Sequence, residues 1–232
     1  MTDAGQRVVI TGAAGALGAA VAQAFARHGA TLGLIDRVTE SKDLLKSLGK
    51  EHVFVGGVDL ASAEHSKRAI DDVAAKLGGI NVLVNVAGGF RWETLADGKV
   101  DTWDLLYAIN LKTAVCACQA ALAHLPANRG RIVNISAAAT AKAGAGMGAY
   151  AASKAGVTRL TEALAEELKD KGINVNAVLP SIIDTPVNRA DMPSADFSRW
   201  VTPAALADVI VFLASDAARA VTGASILVAG RV

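Results

Sequence analysis

Tyr150 and Lys154 stand four residues apart in Tyr150-Ala151-Ala152-Ser153-Lys154, inside a stretch with helical periodicity over 149–171. Residues at i and i+4 share one helix face. A phenol with a pKa of about 10 is a poor acid or base at neutral pH. A lysine ammonium one turn away favours the phenolate and lowers that pKa. Such a pair makes a proton donor suited to carbonyl reduction. On spacing alone the plainer reading is preferred: a tyrosine packed at a helix interface, beside a solvated lysine.

A second group of residues has the chemistry of phosphate binding. Val8-Val9-Ile10-Thr11-Gly12-Ala13-Ala14-Gly15-Ala16-Leu17-Gly18 reads as a strand, a glycine turn and the start of a helix. Gly12 permits the tight turn, and Ala13, Ala14 and Gly15 let backbone approach a pyrophosphate. Gly18 lets the helix pack closely on the sheet. The amides of Ala16, Leu17 and Gly18 then face the phosphates with the positive end of the helix dipole. A purely structural turn is the alternative. Asp36 lies 18 residues after Gly18, at the end of a second apolar run. A carboxylate there accepts from both hydroxyls of an adenosine ribose and repels a 2′-phosphate, so NAD(H) is favoured. Arg37 keeps NADP(H) as the alternative, and a helix N-cap is the plain reading of Asp36. Asp59-Leu60 ends a third run, where the Asp can bond an adenine amino group. Asn85-Val86-Ala87-Gly88 ends a fourth with small residues where ligands lie in open α/β sheets. An oxidised nicotinamide in that cleft would add to Lys154 in lowering the Tyr150 pKa.

These residues need elements to hold them. Continuous Val/Ile/Leu runs predict strands at Arg7–Thr11, Thr31–Asp36, His52–Val58, Asn81–Asn85, Arg131–Ser136, Asn174–Leu179 and Ser225–Val228. Runs of that kind mark strands buried on both faces of a parallel sheet. Helices are predicted at Ala16–His28, Ser41–Leu48, Ser62–Leu77, Thr102–His124, Ala149–Lys171 and Pro203–Ser215, with Thr202 capping the last and Ser62 more weakly capping the third. The alternation predicts an α/β fold: a Rossmann-type, doubly wound parallel sheet of about seven strands flanked by helices. No linker or repeat divides residues 1–232, which are read as one domain. Pro180–Val201 is the least regular stretch and reads as a substrate-side lid with a short helix of its own.

Composition excludes other classes. The 232 residues are 52% hydrophobic and carry a formal net charge of +1, which disfavours nucleic-acid and anionic-membrane binding and excludes disorder. No apolar run approaches the roughly 20 residues of a membrane span. The start, Met1 to Arg7, has no secretory pattern, so the expected compartment is the cytoplasm. Cys116 and Cys118 read as small core or interface residues in a reducing environment, and the four histidines lack ligand spacing, so no metal site is expected.

Taken in order, Thr11-Gly12 to Gly18, Asp36, Asp59-Leu60, Asn85-x-Ala87-Gly88, Asn110, Tyr150-x-x-x-Lys154 and Pro180-Ser181-Ile182-Ile183-Asp184-Thr185 resemble a short-chain dehydrogenase/reductase along essentially the whole chain. The ordered set overturns the plain reading of the Tyr–Lys pair. The resemblance implies an NAD(P)-dependent oxidoreductase transferring hydride between a nicotinamide and a small-molecule substrate. In it Tyr150 is the proton donor, Lys154 binds the cofactor ribose, and Asn110 holds a relay water. Thr185, with Pro180 and Ile183, contacts the nicotinamide. It also implies a homodimer or homotetramer formed through helices 102–124 and 149–171.

Three departures stand out. Ala16 replaces a usual Gly, and Val86 replaces the second of two usual Asn residues. Ala137, 13 residues before Tyr150, stands where the family has a catalytic Ser. Ser136 is the adjacent candidate, but successive strand residues point to opposite faces; Thr140 is a further hydroxyl. Losing such a donor weakens ketone reduction by ~2.7–4 kcal/mol. The dihydropteridine reductases share the missing Ser, and Val86-Ala87-Gly88-Gly89-Phe90 and the loop Asp184 to Trp200 are similar to theirs. The expected substrate is therefore a carbonyl, quinonoid or pterin-like compound, with Phe90, Trp92, Ala137, Pro186 and Trp200 around it. Dihydropteridine reduction is one specific alternative. A dinucleotide-binding redox sensor without catalysis is another.

Overall fold

The computed structural model describes residues 5–49 and 52–232. The start of the chain, read above for a signal segment, lies outside them at residues 1–4. Seven strands form one parallel sheet: β1 (Arg7–Thr11), β2 (Thr31–Ile35), β3 (Val53–Val55), β4 (Val82–Asn85), β5 (Arg131–Ile135), β6 (Asn174–Pro180) and β7 (Ser225–Val228). Their spatial order is β3-β2-β1-β4-β5-β6-β7. The helices are α1 (Ala16–Arg27), α2 (Lys42–Leu48), α3 (Ala63–Leu77), α4 (Val100–Leu106), α5 (Thr113–Ala121), α6 (Gly148–Leu168), α7 (Pro186–Asp191) and α8 (Pro203–Leu213).

Side chains alternate across each strand and so feed two cores. Val8 and Ile10 of β1 join Leu32, Val84 and Val133 beneath the layer of α1 and α8, where Phe25 and Ile210 are fully buried. Val9, Leu83, Ile132 and Val175 face the opposite layer, built from α3, α5 and α6 with Ile70, Ala117 and Leu164. Strand order reverses between β1 and β4, and a crevice opens at the carboxyl ends of those strands.

Several boundaries differ from the sequence reading. The stretch Thr102–His124 is not one α-helix. Between α4 and α5 lies a π-helical segment, Tyr107–Lys112, in which the Thr113 amide reaches back five residues to Ala108 O. The third strand stops at Val55 because the chain folds back. A Cβ on Gly56 would stand 2.3 Å from Thr39 O, and Gly57 has φ +71°. The sixth helix ends at Leu168 and tightens into a 3₁₀ turn over Lys169–Lys171 before Gly172 at φ +63°. The expected caps form: Ser62 accepts from the His65 amide and Thr202 from the Ala205 amide. The 180–201 stretch holds α7 and a 3₁₀ turn at Phe197–Arg199.

The seat of α1 on the sheet leaves no room at Gly18. A methyl there would lie 2.1 Å from Gly12 O and 2.8 Å from Ala13 Cα, both backbone. Gly18→Ala is therefore expected to destabilise the protein by ~1–3 kcal/mol, the usual range for overpacking. Urea unfolding checks this through a lower midpoint at unchanged slope.

Candidate active site

The crevice is assembled from backbone. Thr11 Oγ1 accepts from the amides of Val86 (3.1 Å) and Ala87 (3.3 Å), tying the end of β1 to the chain leaving β4. Gly12 has φ +64°, and a Cβ on it would stand 2.7 Å from Ala87 N. The turn therefore passes directly over Val86-Ala87. Gly15 is the N-cap of α1 and supplies no side-chain cap, so the amides of the first turn, at Ala16, Leu17 and Gly18, are left for another acceptor. Ala14 donates its amide to Asp36 Oδ2 at 2.9 Å, and Val38 donates to Oδ1 at 3.1 Å. Asp36 is buried and joins the glycine turn to the end of β2; it caps no helix, since α2 begins at Lys42. Arg37 is exposed beside it. Asp59 is exposed and accepts from the Ala61 amide, while Leu60 is buried.

Asn85 does not serve the crevice with its side chain. Its Nδ2 donates to Asn134 Oδ1 (2.9 Å) and reaches Cys118 Sγ (3.2 Å), in a buried chain that continues from Asn134 to Thr161. Burial pushes the Cys118 thiol up to about 12, which suits a core residue. Cys116 is likewise free and buried, and no cluster of metal-ligating side chains occurs among the described residues.

Across the crevice, α6 brings Tyr150 and Lys154 onto one face. Lys154 is buried, and its Nζ donates to Ile135 O at the end of β5 (2.9 Å). Gly88 makes that placement feasible, because a Cβ there would lie 3.3 Å from Nζ and 2.5 Å from Asn110 Oδ1. Burial lowers the Lys154 ammonium to about 8. The same burial pushes the Tyr150 phenol up to about 12, opposite to the sequence expectation. The ammonium is turned to a carbonyl, and desolvation dominates at the phenol. The Phe90 ring meets the Tyr150 ring edge-on, with centroids 4.9 Å apart. Trp92 is mostly exposed and lies on Gly146, where a Cβ would strike the indole at 2.3 Å.

Asn110 sits in the π segment, which turns its side chain onto the loop after β4. It accepts from Gly89 N (2.9 Å) and donates to Gly89 O (3.1 Å). The sequence carries no sign of the extra residue in this segment. Ser153, which the sequence reading passed over, accepts the second Asn110 amide hydrogen at 3.0 Å.

Neither candidate hydroxyl is free to take the place of the missing Ser. Ser136 is buried with Oγ donating to Lys154 O (2.9 Å) beside Thr158 Oγ1 (2.9 Å), so it holds α6 and is removed as a catalytic donor. Thr140 donates to Ala137 O (2.9 Å), and Ala137 is buried. In the 180–201 stretch, Thr185 caps α7 by accepting from the Asn188 amide, and Pro186 opens that helix. Pro180 ends β6 and Ile183 pairs with Val201 in a single bridge. Trp200 is buried against Phe197, centroids 4.8 Å apart, so it packs the 180–201 stretch from within instead of lining an open pocket.

The cradle fits a dinucleotide: a glycine turn with no room for a side chain at Gly12 or Gly18, uncapped amides at a helix start, and a carboxylate at the end of β2. The family model for short chain dehydrogenase matches residues 6–195. D-threitol dehydrogenase of Mycolicibacterium smegmatis is 35% identical over 239 residues, covering 97% of this chain and 92% of its own. A 3-oxoacyl-(acyl-carrier-protein) reductase of Thermotoga maritima is 36% identical over 234 residues, covering 94% of each. A short chain dehydrogenase from Burkholderia cenocepacia, solved in complex with NADP, superposes with TM-score 0.89 at 31% identity, covering 98% of this chain and 97% of that one. The chain belongs to the short-chain dehydrogenase/reductase family and is an NAD(P)-dependent oxidoreductase of that family. No helix among the described residues is long and apolar enough to cross a membrane.

The buried ammonium makes stability depend on pH. Lys154 keeps its proton to about 10.5 when unfolded and loses it near 8 when folded. Between those values the unfolded chain binds more protons, so stability rises with pH across that window. Tyr150 acts in the opposite sense, but only above its unfolded value of about 10. Lys154→Met is expected to raise the stability of the ligand-free protein at neutral pH and to flatten the rise. Urea midpoints of parent and variant from neutral pH to about pH 9.5 check both effects.

Proposed function

We propose that the chain reduces a planar conjugated acceptor, quinonoid or pterin-like, with NADH as the preferred donor. The observation that carries the reading is the set of hydroxyls beside Tyr150. Ala137 has none, and those of Ser136 and Thr140 are committed to backbone carbonyls. A ketone builds a localised oxyanion that needs a second donor. A conjugated ring spreads the charge and needs only one proton. The bound nicotinamide supplies the hydride. Tyr150 holds the proton that the acceptor takes up, and the edge of Phe90 with the exposed Trp92 indole offers aromatic surface for a flat ring. Lys154 has N–H donors left for ribose hydroxyls beyond its bond to Ile135 O. Asn110 holds the wall that carries Phe90 and supports the proton path. Thr185, Pro180 and Ile183 sit on the nicotinamide side, and Pro186 with α7 closes over the acceptor.

Asp36 supports NADH, because its buried carboxylate faces the turn that the adenosine ribose would occupy and repels a 2′-phosphate. The exposed Leu105, Tyr107 and Val115 support self-association through the α4–α5 and α6 helices, as a dimer or tetramer. Two free buried thiols support a reducing compartment, the cytoplasm. A second reading is oxidation of a polyol or reduction of an oxoacyl group, favoured by the names of the two relatives. A sensor without chemistry is disfavoured by the intact Tyr150, Lys154 and Asn110.

Steady-state oxidation of NADH and NADPH with a quinonoid dihydropterin, quinones and simple ketones separates these readings. The conjugated acceptors should exceed ketones in kcat/KM, with NADH ahead of NADPH. Tyr150→Phe should lower kcat by ~10²–10⁴. Ala137→Ser should raise ketone turnover by ~10²–10³ if the added hydroxyl reaches the oxyanion. Preference for ketones or polyols by the parent protein would replace the reading with the second one.

A further inference from the structure

We infer that Ser153 is a positioning residue that clamps the acceptor-side wall, Gly88 to Phe90, against the helix turn bearing Tyr150. Ser153 lies between Tyr150 and Lys154 in sequence, yet its hydroxyl is bonded to neither phenol nor ammonium. It is buried, its Oγ donates to Tyr150 O at 2.8 Å and accepts from Asn110 Nδ2 at 3.0 Å. A serine hydroxyl has one hydrogen to give, and this geometry uses it on the Tyr150 carbonyl. Both Asn110 amide hydrogens are then assigned, one to Ser153 and one to Gly89 O, while its oxygen accepts from Gly89 N. Asn110 thus pairs with Gly89 through both backbone groups. Gly89 leads into Phe90, whose ring stands edge-on against Tyr150. The path is a closed ring: Tyr150 backbone, Ser153, Asn110, Gly89, Phe90 and back to the Tyr150 side chain.

Ser153 is the link in this ring that joins α6 to the π segment by hydrogen bonds. Without the hydroxyl, one Asn110 N–H has no acceptor at a residue that is 1% exposed. An orphaned buried donor drives its group to move or to find water. The amide that moves is the one holding Gly89, so the change passes to Phe90. The inference rests on the reading of Phe90 as a wall of the acceptor pocket.

Two measurements on the full chain test it. In the ligand-free protein, hydrogen exchange at the Gly89 amide should accelerate at least about ten-fold in Ser153→Ala, with the strand amides of Val9 and Leu83 unchanged. Ser153→Thr, which keeps a hydroxyl, should restore protection. In turnover with the best conjugated acceptor, Ser153→Ala should raise the acceptor KM at least about five-fold while kcat and NADH affinity hold within about two-fold. Unchanged Gly89 exchange overturns the clamp. Equal acceleration at all three amides reduces Ser153 to general stability. Faster Gly89 exchange with unchanged KM overturns its link to the acceptor. If the parent protein reduces no conjugated acceptor, the proposed function fails, and Gly89 exchange with its Thr rescue decides the clamp by itself.

Discussion

A single desolvated ammonium organises this molecule. Lys154 is taken out of water at the carboxyl ends of the strands, where Ile135 O accepts from it. A charge in that position is expensive unless acceptors are brought to it. The structure brings one, Ile135 O, at the end of β5, makes room for the ammonium by carrying no side chain at Gly88, and fixes α6 through the Ser136 bond to Lys154 O. The same dryness that lowers the ammonium raises the phenol of Tyr150.

The site is otherwise shaped by missing atoms. Gly12, Gly18 and Gly88 each stand where a methyl would meet backbone or a functional side chain within 3 Å. Their absence brings three chain segments to one crevice: the turn after β1, the loop after β4 and the first turns of α6. Thr11 then closes the first two together by accepting from both Val86 and Ala87. Strand ends, glycine turns and helix starts supply donors that no side chain has to carry.

The sheet was legible because its central strands are buried on both sides and so appear as largely apolar Val/Ile/Leu runs. The glycine turn and the Tyr–Lys spacing were legible because each is local, within one turn or one helix. What the sequence hid is relational. Whether Asn85 faces the crevice or the core depends on Asn134 and Cys118, which come from other elements. Trp200 looked like a pocket residue because aromatic residues near a lid suggest ligands, yet Phe197 three residues earlier covers it. The rise in the Tyr150 pKa follows from tertiary burial, which four-residue spacing does not report. Ser153 passed unnoticed because a small polar residue inside a helix carries no mark of the amide across from it.

The π segment at Tyr107–Lys112 separates two mechanical duties. Each residue of an α-helix advances the azimuth by about 100°. One surplus residue lets α4 keep its own phase while α5 presents Ala114, Ala117, Cys118 and Ala121 inward. Deleting a single residue there would regularise the helix and at once swing that small-residue stripe off α3. The surplus residue therefore lets the two helices present their faces in independent registers, α4 toward the site and α5 toward α3.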